Sequence, residues 1–217
     1  MRSWISSTSS WVLTVGPTAE AASPRHVIYL HGRIIQETQS PRPQHPRFGR
    51  YELDEILEAF RSRGFDVIGE IRPKSASVSE SADRVAAQVL ELLDSGVAAE
   101  NVMVVGGSMG AAIALLASTR LQQPEVRFGV LGACLSGTDR ALRASEGKGP
   151  AGRVLSIREK SDDFTEPCPA WSGENEGLVV REIVLETGLA HGFLYRPLAE
   201  WMDPVVAWAG GASGAGR

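Results

Sequence analysis

The chain alternates between short continuous apolar runs and longer segments in which apolar residues recur every three or four positions. Runs of this kind are typical of buried strands, and the longer segments are typical of helices with one apolar face. The pattern predicts strands at 26–30, 65–71, 101–105, 127–134, 153–157 and 179–185. Strand and helix repeated at this spacing predict an α/β fold, with a mostly parallel sheet of about six strands and helices on both faces.

Helices are expected between these strands, at about 53–60, 85–92 and 109–122, and after the last strand. Ser77 and Glu80 have the spacing of a capping box ahead of the second helix. Asp203 and Pro204 look like the N-cap and the first-turn residue of the last helix. The segment from Arg33 to about Arg50 is polar and rich in proline, and we interpret it as a loop.

The length of 217 residues and the hydrophobic content of 43% are typical of one globular domain, which we place at 26–209. Residues 1–25 form a leader with a weak resemblance to a signal peptide, and 210–217 a tail with nothing to pack. The net charge of −4 argues against a nucleic-acid partner. No apolar stretch approaches the roughly 20 residues that a membrane helix needs.

The two cysteines, Cys134 and Cys168, offer no spacing of metal ligands. Both follow predicted strands at the same edge of the sheet. They are therefore either two idle thiols or, in an exported protein, one disulfide that would hold the neighbouring loop. The leader leaves the compartment open between the cytoplasm, which we favour, and export. The sequence indicates no metal and no cofactor, and it leaves the oligomeric state open.

A glycine–serine motif, Gly106-Gly107-Ser108-Met109-Gly110, lies between a predicted strand and a predicted helix. A serine on such a turn needs small neighbours two residues away, here Gly106 and Gly110, and its Oγ is exposed at the sheet edge. The spacing alone is a weak signal. The strand before it and the helix after it make Ser108 a candidate nucleophile.

A serine hydroxyl needs a neighbouring base, normally a histidine that a carboxylate orients. The chain has four histidines, and His191 follows the last strand in a loop, where this architecture would present a base. His31 ends the first strand, and we expect it to shape the loop. Asp162 and Asp163, after the fifth strand, are candidate acids, and Asp139 is a third.

An acyl-transfer site also needs donors for an oxyanion. The backbone N–H of Met109, after the serine, is one candidate, and the N–H of Arg33, after His31 and Gly32, is the second.

With these residues in place, the chain resembles the α/β-hydrolases, as a small member without a cap domain. The resemblance spans about 26–209 and rests on His31-Gly32, the Ser108 motif, the aspartates and Gly188-x-x-His191-Gly192, in the family's order. The family's register places the acid at Asp162 and leaves Asp163 as the alternative. Glu159 stands where the family usually has glycine. The resemblance implies a serine hydrolase with Ser108, His191 and Asp162 as its triad.

The expected substrate is a carboxylic ester or thioester of a small acyl compound. A peptidase or amidase on the same fold and a binding protein without turnover are the alternatives. The 33–50 segment carries Arg42, Arg47 and Arg50, which would hold an anionic group of the substrate or simply be solvated. Arg72 and Lys74 would emerge from the same sheet edge.

Overall fold

The computed structural model describes residues 25–134, 149–168 and 177–211. The leader before residue 25, the tail after residue 211 and the candidate acid Asp139 lie outside this part. Its strands are β1 (Arg25–Leu30), β2 (Gln44–His45), β3 (Gly49–Arg50), β4 (Phe65–Ile68), β5 (Val102–Gly107), β6 (Arg127–Leu131), β7 (Gly152–Glu159) and β8 (Leu178–Leu185). Its α-helices are α1 (Arg33–Thr38), α2 (Leu53–Arg61), α3 (Val78–Asp94), α4 (Met109–Leu121) and α5 (Ala199–Ala209).

Six of the strands form one parallel sheet in the order β4-β1-β5-β6-β7-β8. This confirms the predicted fold class and the number of strands. Every residue of β5 is buried, because β5 lies inside the sheet and both of its faces are covered. The carboxyl ends of β5, β6 and β7 meet at one edge of the sheet, where ligands of such folds bind.

Helices cover both faces of the sheet, as the alternation of elements predicts. On one face α2 and α5 pack together, and the rings of Phe60 and Trp201 lie 6.3 Å apart. On the other face α3 and α4 bury Val85, Val89 and Ile113. Within the described residues, no further domain is inserted between the strands.

The segment predicted as a loop at 33–50 contains α1 and the small antiparallel hairpin β2–β3. The helix was not predicted because it has only six residues and no side-chain cap at its N-terminus. Tertiary contacts stabilise it instead. Ile35 is fully buried, and the Gln36 side chain donates to the carbonyl oxygens of Lys74 and Ala76.

The last helix begins five residues earlier than predicted, at Ala199, and Pro204 lies inside it. Proline inside a helix removes one backbone hydrogen bond. Here the first turn is held by burial, because Trp201 and Met202 are completely buried and the Trp201 indole N–H donates to the Arg196 carbonyl at 2.9 Å. The apolar core therefore outweighs the local signal of Asp203 and Pro204.

Cys134, just after β6, forms a disulfide with Cys168 in the segment that follows β7. This selects the disulfide over the two idle thiols. The bond joins the end of β6 to the segment after β7 that also carries Asp162 and Asp163.

We expect the double variant Cys134→Ala/Cys168→Ala to be less stable than the oxidised protein. The disulfide links residues that are 34 positions apart. Removing a cross-link of that span frees the unfolded chain and lowers the free energy of unfolding by about 3–4 kcal/mol. Urea denaturation with and without dithiothreitol measures the difference. The reductant should not affect the double variant, and two free thiols in the untreated protein would contradict the prediction.

Among the described residues, no helix combines the length and the apolar character that crossing a membrane requires.

Candidate active site

Ser108 lies on the sharp turn between β5 and α4, with φ of 54° and ψ of −117°. This backbone conformation is sterically strained for any residue with a Cβ. The flanking glycines make the turn possible, because a Cβ on Gly106 would overlap the Gly110 backbone and a Cβ on Gly110 would overlap the Leu30 carbonyl. The Ser108 N–H donates to the Leu131 carbonyl at 2.8 Å, which holds the turn against β6.

His191 and Asp162, 29 residues apart in sequence, form a hydrogen-bonded pair at the same edge of the sheet. His191 Nδ1 lies 2.6 Å from Asp162 Oδ2, and the Asp162 side chain is fully buried. The other carboxylate oxygen accepts the backbone N–H of Phe164 at 3.0 Å. Because Nδ1 donates to the carboxylate, the neutral imidazole carries its lone pair on Nε2 and can accept a proton there.

Asp163, the alternative acid, points elsewhere. Its exposed carboxylate pairs with Arg47 Nη1 at 3.2 Å. The hydrogen bond from Arg47 lowers the pKa of Asp163. Of the two adjacent aspartates, the structure brings only Asp162 against His191.

The two predicted oxyanion donors are the first residues of two helices. Met109 begins α4 and Arg33 begins α1. The first N–H groups of a helix have no partner within the helix. The two helix starts are neighbours, because a Cβ built on Gly32 would lie 3.7 Å from the Ser108 Cβ.

His31 is completely buried beneath the start of α1. Its Nδ1 lies 2.8 Å from the Gly32 carbonyl oxygen and its Nε2 accepts the Arg72 N–H at 3.0 Å, so Nδ1 carries the proton. Burial, together with the nearby Arg72 charge, lowers the pKa of His31 to about 4. With both nitrogens engaged, His31 supports the loop between β1 and α1.

The buried neutral His31 makes stability depend on pH. Its pKa is about 4 in the folded protein, against 6.5 ordinarily, so the unfolded chain binds the extra proton between these values. The stabilisation is complete above pH 6.5 and is lost as the pH falls toward 4. We expect a loss of about 2 kcal/mol from this group between pH 7 and pH 5. Urea denaturation at both pH values measures it.

His31→Asn is the comparison, because asparagine keeps a donor near Nδ1 but does not titrate. Its free energy of unfolding should change less between the two pH values than that of the wild type. An equal change in both proteins would contradict the assignment. If His31→Asn does not fold, a wild type that is equally stable at pH 7 and pH 5 would contradict it.

Ser108 and His191 line one open cleft of about 410 Å³. A larger cavity, of about 650 Å³, lies where β1, β4 and α3 meet and contains neither residue. The polar residues Glu37 and His45 line the cleft as well. So do six aromatic and apolar side chains that the sequence analysis did not assign to the site: Ile34, Phe48, Tyr51, Phe164, Leu194 and Tyr195. The only sequence signal for two of them is proximity, since Phe164 follows Asp162 and Tyr195 follows His191 within four residues.

The arginines predicted as anion-binding residues do not line this cleft, and each has a carboxylate partner. Arg42 pairs with Asp54 at 3.2 Å, Arg50 with Glu52 at 3.1 Å, and Arg47 with Asp163. Among the arginines of the described residues, Arg33 contributes to the lining.

Arg72, expected to emerge from the sheet edge, is buried instead. Its guanidinium donates to the His31 carbonyl at 2.6 Å and to the Gln36 side chain at 3.0 Å. Burial lowers its pKa to about 10. Arg72 therefore supports the loop that carries Arg33, and it does not face the cleft.

Glu159, the residue that departs from the family pattern, is buried at the end of β7. One carboxylate oxygen accepts the N–H and Oγ of Ser161 at 3.0 and 2.9 Å, and the other accepts the N–H and Oγ1 of Thr187, both at 2.7 Å. The Ser161 Oγ also accepts the Ala190 N–H at 3.2 Å. Glu159 thus joins the loop of Asp162 to the loop of His191. Burial raises its pKa, but these hydrogen bonds outweigh burial and lower the pKa to about 2.

We expect Glu159→Gln to weaken this junction. An amide nitrogen in place of one carboxylate oxygen would face a backbone N–H, which cannot accept, and a hydroxyl, which can rotate to accept. At least one hydrogen bond to a charged group is therefore lost, and stability falls by about 2 kcal/mol. If the proposed function below is correct, a looser Asp162–His191 pair should also lower kcat by roughly 10-fold, with KM little changed. Urea denaturation and ester hydrolysis measure the two effects.

Lys160→Gln is the control, since Lys160 is exposed on the same loop and its ammonium pairs with the exposed Glu186 at 3.0 Å. In the wild type, the part of the free energy of unfolding that comes from Glu159 should be lost as the pH falls from 4.5 toward 2. Glu159→Gln should lack this pH dependence. Equal effects of both substitutions on kcat would contradict the positioning role.

The fold of this chain is similar to that of several solved structures. The chain is 16% identical to SOBER1 of Arabidopsis thaliana, covering 87% of this chain and 98% of that one, with a TM-score of 0.50. A structure reported for the metagenome-derived lipolytic enzymes LipS and LipT is 14% identical, with 87% of this chain and 94% of that one covered and a TM-score of 0.53. A puromycin-hydrolysing peptidase of Mycobacterium tuberculosis is 17% identical, with 90% of this chain and 36% of that one covered and a TM-score of 0.51. No family model and no curated protein matches the sequence.

The sheet order, the helices on both faces and these similar structures define the α/β-hydrolase fold. The fold expected from the sequence motifs is therefore confirmed.

Proposed function

We propose that this protein is a serine hydrolase that cleaves a carboxylic ester or thioester through an acyl-enzyme. The observation that carries the proposal is the buried Asp162 carboxylate bonded to His191 Nδ1, with His191 and Ser108 lining one cleft. The similar structures include lipolytic enzymes, which supports hydrolysis as the class of reaction.

In the proposed reaction, Ser108 Oγ attacks the carbonyl carbon while His191 Nε2 takes its proton. Asp162 holds the imidazole in this tautomer and stabilises the imidazolium that forms. The N–H groups of Met109 and Arg33 would bind the oxyanion, and each such donor contributes about 3 kcal/mol to the transition state. Collapse of the tetrahedral intermediate expels the alcohol or thiol, which receives the proton from His191. Water then releases the acid by the same steps.

Two other functions fit the same fold. A peptidase or amidase would use the same three residues on an amide, and one of the similar structures is a peptidase. A binding protein without turnover is the alternative from another class. The presence of Ser108, His191 and Asp162 together argues against it, because the loss of any one of them would be the simplest route to a protein without turnover.

A fluorophosphonate probe separates a serine hydrolase, whether it acts on esters or amides, from a binding protein without turnover. The wild type should be labelled, and peptide mass spectrometry should place the adduct on Ser108. Absence of labelling, or labelling of another residue, would contradict the proposal. Hydrolysis of p-nitrophenyl esters, acyl thioesters and aminoacyl arylamides, compared at equal enzyme concentration, then distinguishes ester, thioester and amide substrates.

A further inference from the structure

The most exposed aromatic side chain of the cleft is Phe164, which is 52% exposed. Single exposed apolar residues are common on protein surfaces. Phe164 is not isolated, however. Its ring lies edge-on to the His191 ring at 5.3 Å and edge-on to the Phe48 ring at 6.2 Å. An apolar ring is therefore kept in water directly beside the candidate base.

Phe48 faces Phe164 from the β2–β3 hairpin. Its ring stacks on His45 at 4.6 Å and lies edge-on to Tyr195 at 5.7 Å. It can sit this close to the His191 loop because residue 192 is glycine, on which a Cβ would lie 3.3 Å from the Phe48 Cβ. Phe48 is thus held from three sides, and its position relative to His191 is well defined.

The neighbours of the two phenylalanines connect their loops. Arg47 precedes Phe48 and Asp163 precedes Phe164, and these two form the ion pair described above. The Arg47 guanidinium also lies over the Phe48 ring at 5.1 Å. An exposed ion pair stabilises little by itself. Its position shows that the hairpin and the acid loop are in contact beside the two rings, which border the mouth of the cleft together.

We propose that Phe48 and Phe164 bind an aromatic ring of the substrate, so that the preferred substrates are small esters carrying an aryl group. This deepens the proposed function and rests on it. Aromatic side chains favour an aromatic partner over a saturated ring of the same size, because an edge-to-face or offset-stacked contact adds to the burial of area. The cleft of about 410 Å³ has the size that suits a small ligand.

Pairs of esters that differ only in ring saturation test this inference. Methyl phenylacetate with methyl cyclohexylacetate place the ring on the acyl side. Benzyl acetate with cyclohexylmethyl acetate place it on the alcohol side. Acid release in a pH-stat gives kcat/KM for all four. In at least one pair the aryl ester should be preferred by about 3- to 10-fold, and that pair identifies the side of the ester that the cleft receives.

Phe164→Leu should reduce this preference to about 1, since leucine fills space without a ring, and Phe164→Tyr should keep it. Phe164 is half exposed, so these variants should fold. Leu90→Ala, an exposed apolar position on α3, is the control and should retain the wild-type ratio.

Equal rates within both pairs for the wild type, or an aryl preference that survives in Phe164→Leu, would overturn the inference. If Ser108 is labelled by the fluorophosphonate while no aryl preference exists, only this inference fails. If Ser108 is not labelled, the proposed function fails first.

Discussion

Replacing Ser108 with alanine is expected to lower kcat for ester hydrolysis by about 10⁶-fold, because the attacking oxygen is removed and no acyl-enzyme can form. The residual rate would come from the remaining binding and oxyanion groups acting on water. The Ser108 side chain is small and the cleft is lined mostly by other residues, so KM should change little. Initial rates at saturating substrate, with protein freed of host esterases, provide the measurement.

The strain at Ser108 provides an internal control. Alanine keeps a Cβ at φ of 54° and therefore keeps the strain. Glycine adopts this conformation without a steric penalty, so Ser108→Gly should be more stable than Ser108→Ala by about 1 kcal/mol, although both are inactive. Thermal unfolding compares them. An alanine variant with more than a hundredth of the wild-type kcat would indicate another nucleophile.

Replacing Asp162 with asparagine is expected to lower kcat by about 10⁴-fold. Asp162 Oδ2 accepts the proton on His191 Nδ1. An asparagine amide can donate to Nδ1 instead, which moves the imidazole proton to Nε2, where Ser108 needs an acceptor. The effect should fall on kcat, since the Asp162 side chain is fully buried behind His191 and does not line the cleft.

Asp163→Asn is the matched comparison, one residue away and of the same chemistry. Asp163 is exposed and pairs with Arg47, so we expect less than a threefold change in kcat, in keeping with the small contribution of exposed ion pairs. If Asp163→Asn abolished turnover and Asp162→Asn did not, the acid would be Asp163.

The central strands of the sheet could be predicted because their residues are buried on both sides. β5 and β6 have no exposed residue, so they appear in the sequence as unbroken apolar runs. The capping box at Ser77 and Glu80 is present as predicted, because both of its hydrogen bonds form within four residues of chain. Local chemistry was enough for these elements.

Local chemistry was not enough for α1 and α5. The short helix α1 is stabilised by Ile35 in the core and by Gln36 bonded to the chain near Lys74, 38 residues away in sequence. α5 passes through Pro204 because Trp201 and Met202 are buried. In both, contacts between distant segments outweigh the propensities of the residues themselves.

The candidate site likewise has one part that could be predicted from local sequence and another that depends on contacts between distant segments. Ser108 could be predicted as a candidate nucleophile from the chain alone, because the strand, the turn and the glycines that its backbone requires are contiguous. The choice between Asp162 and Asp163 depends on which carboxylate faces His191, and the contribution of Glu159 depends on the approach of Ser161 to Thr187. The cleft requires Phe48 and Phe164 to come from loops more than a hundred residues apart. The sequence by itself indicates which residues are buried and where the backbone turns. Which side chains meet across separate loops depends on the order of the strands beneath those loops, and only the tertiary structure decides that.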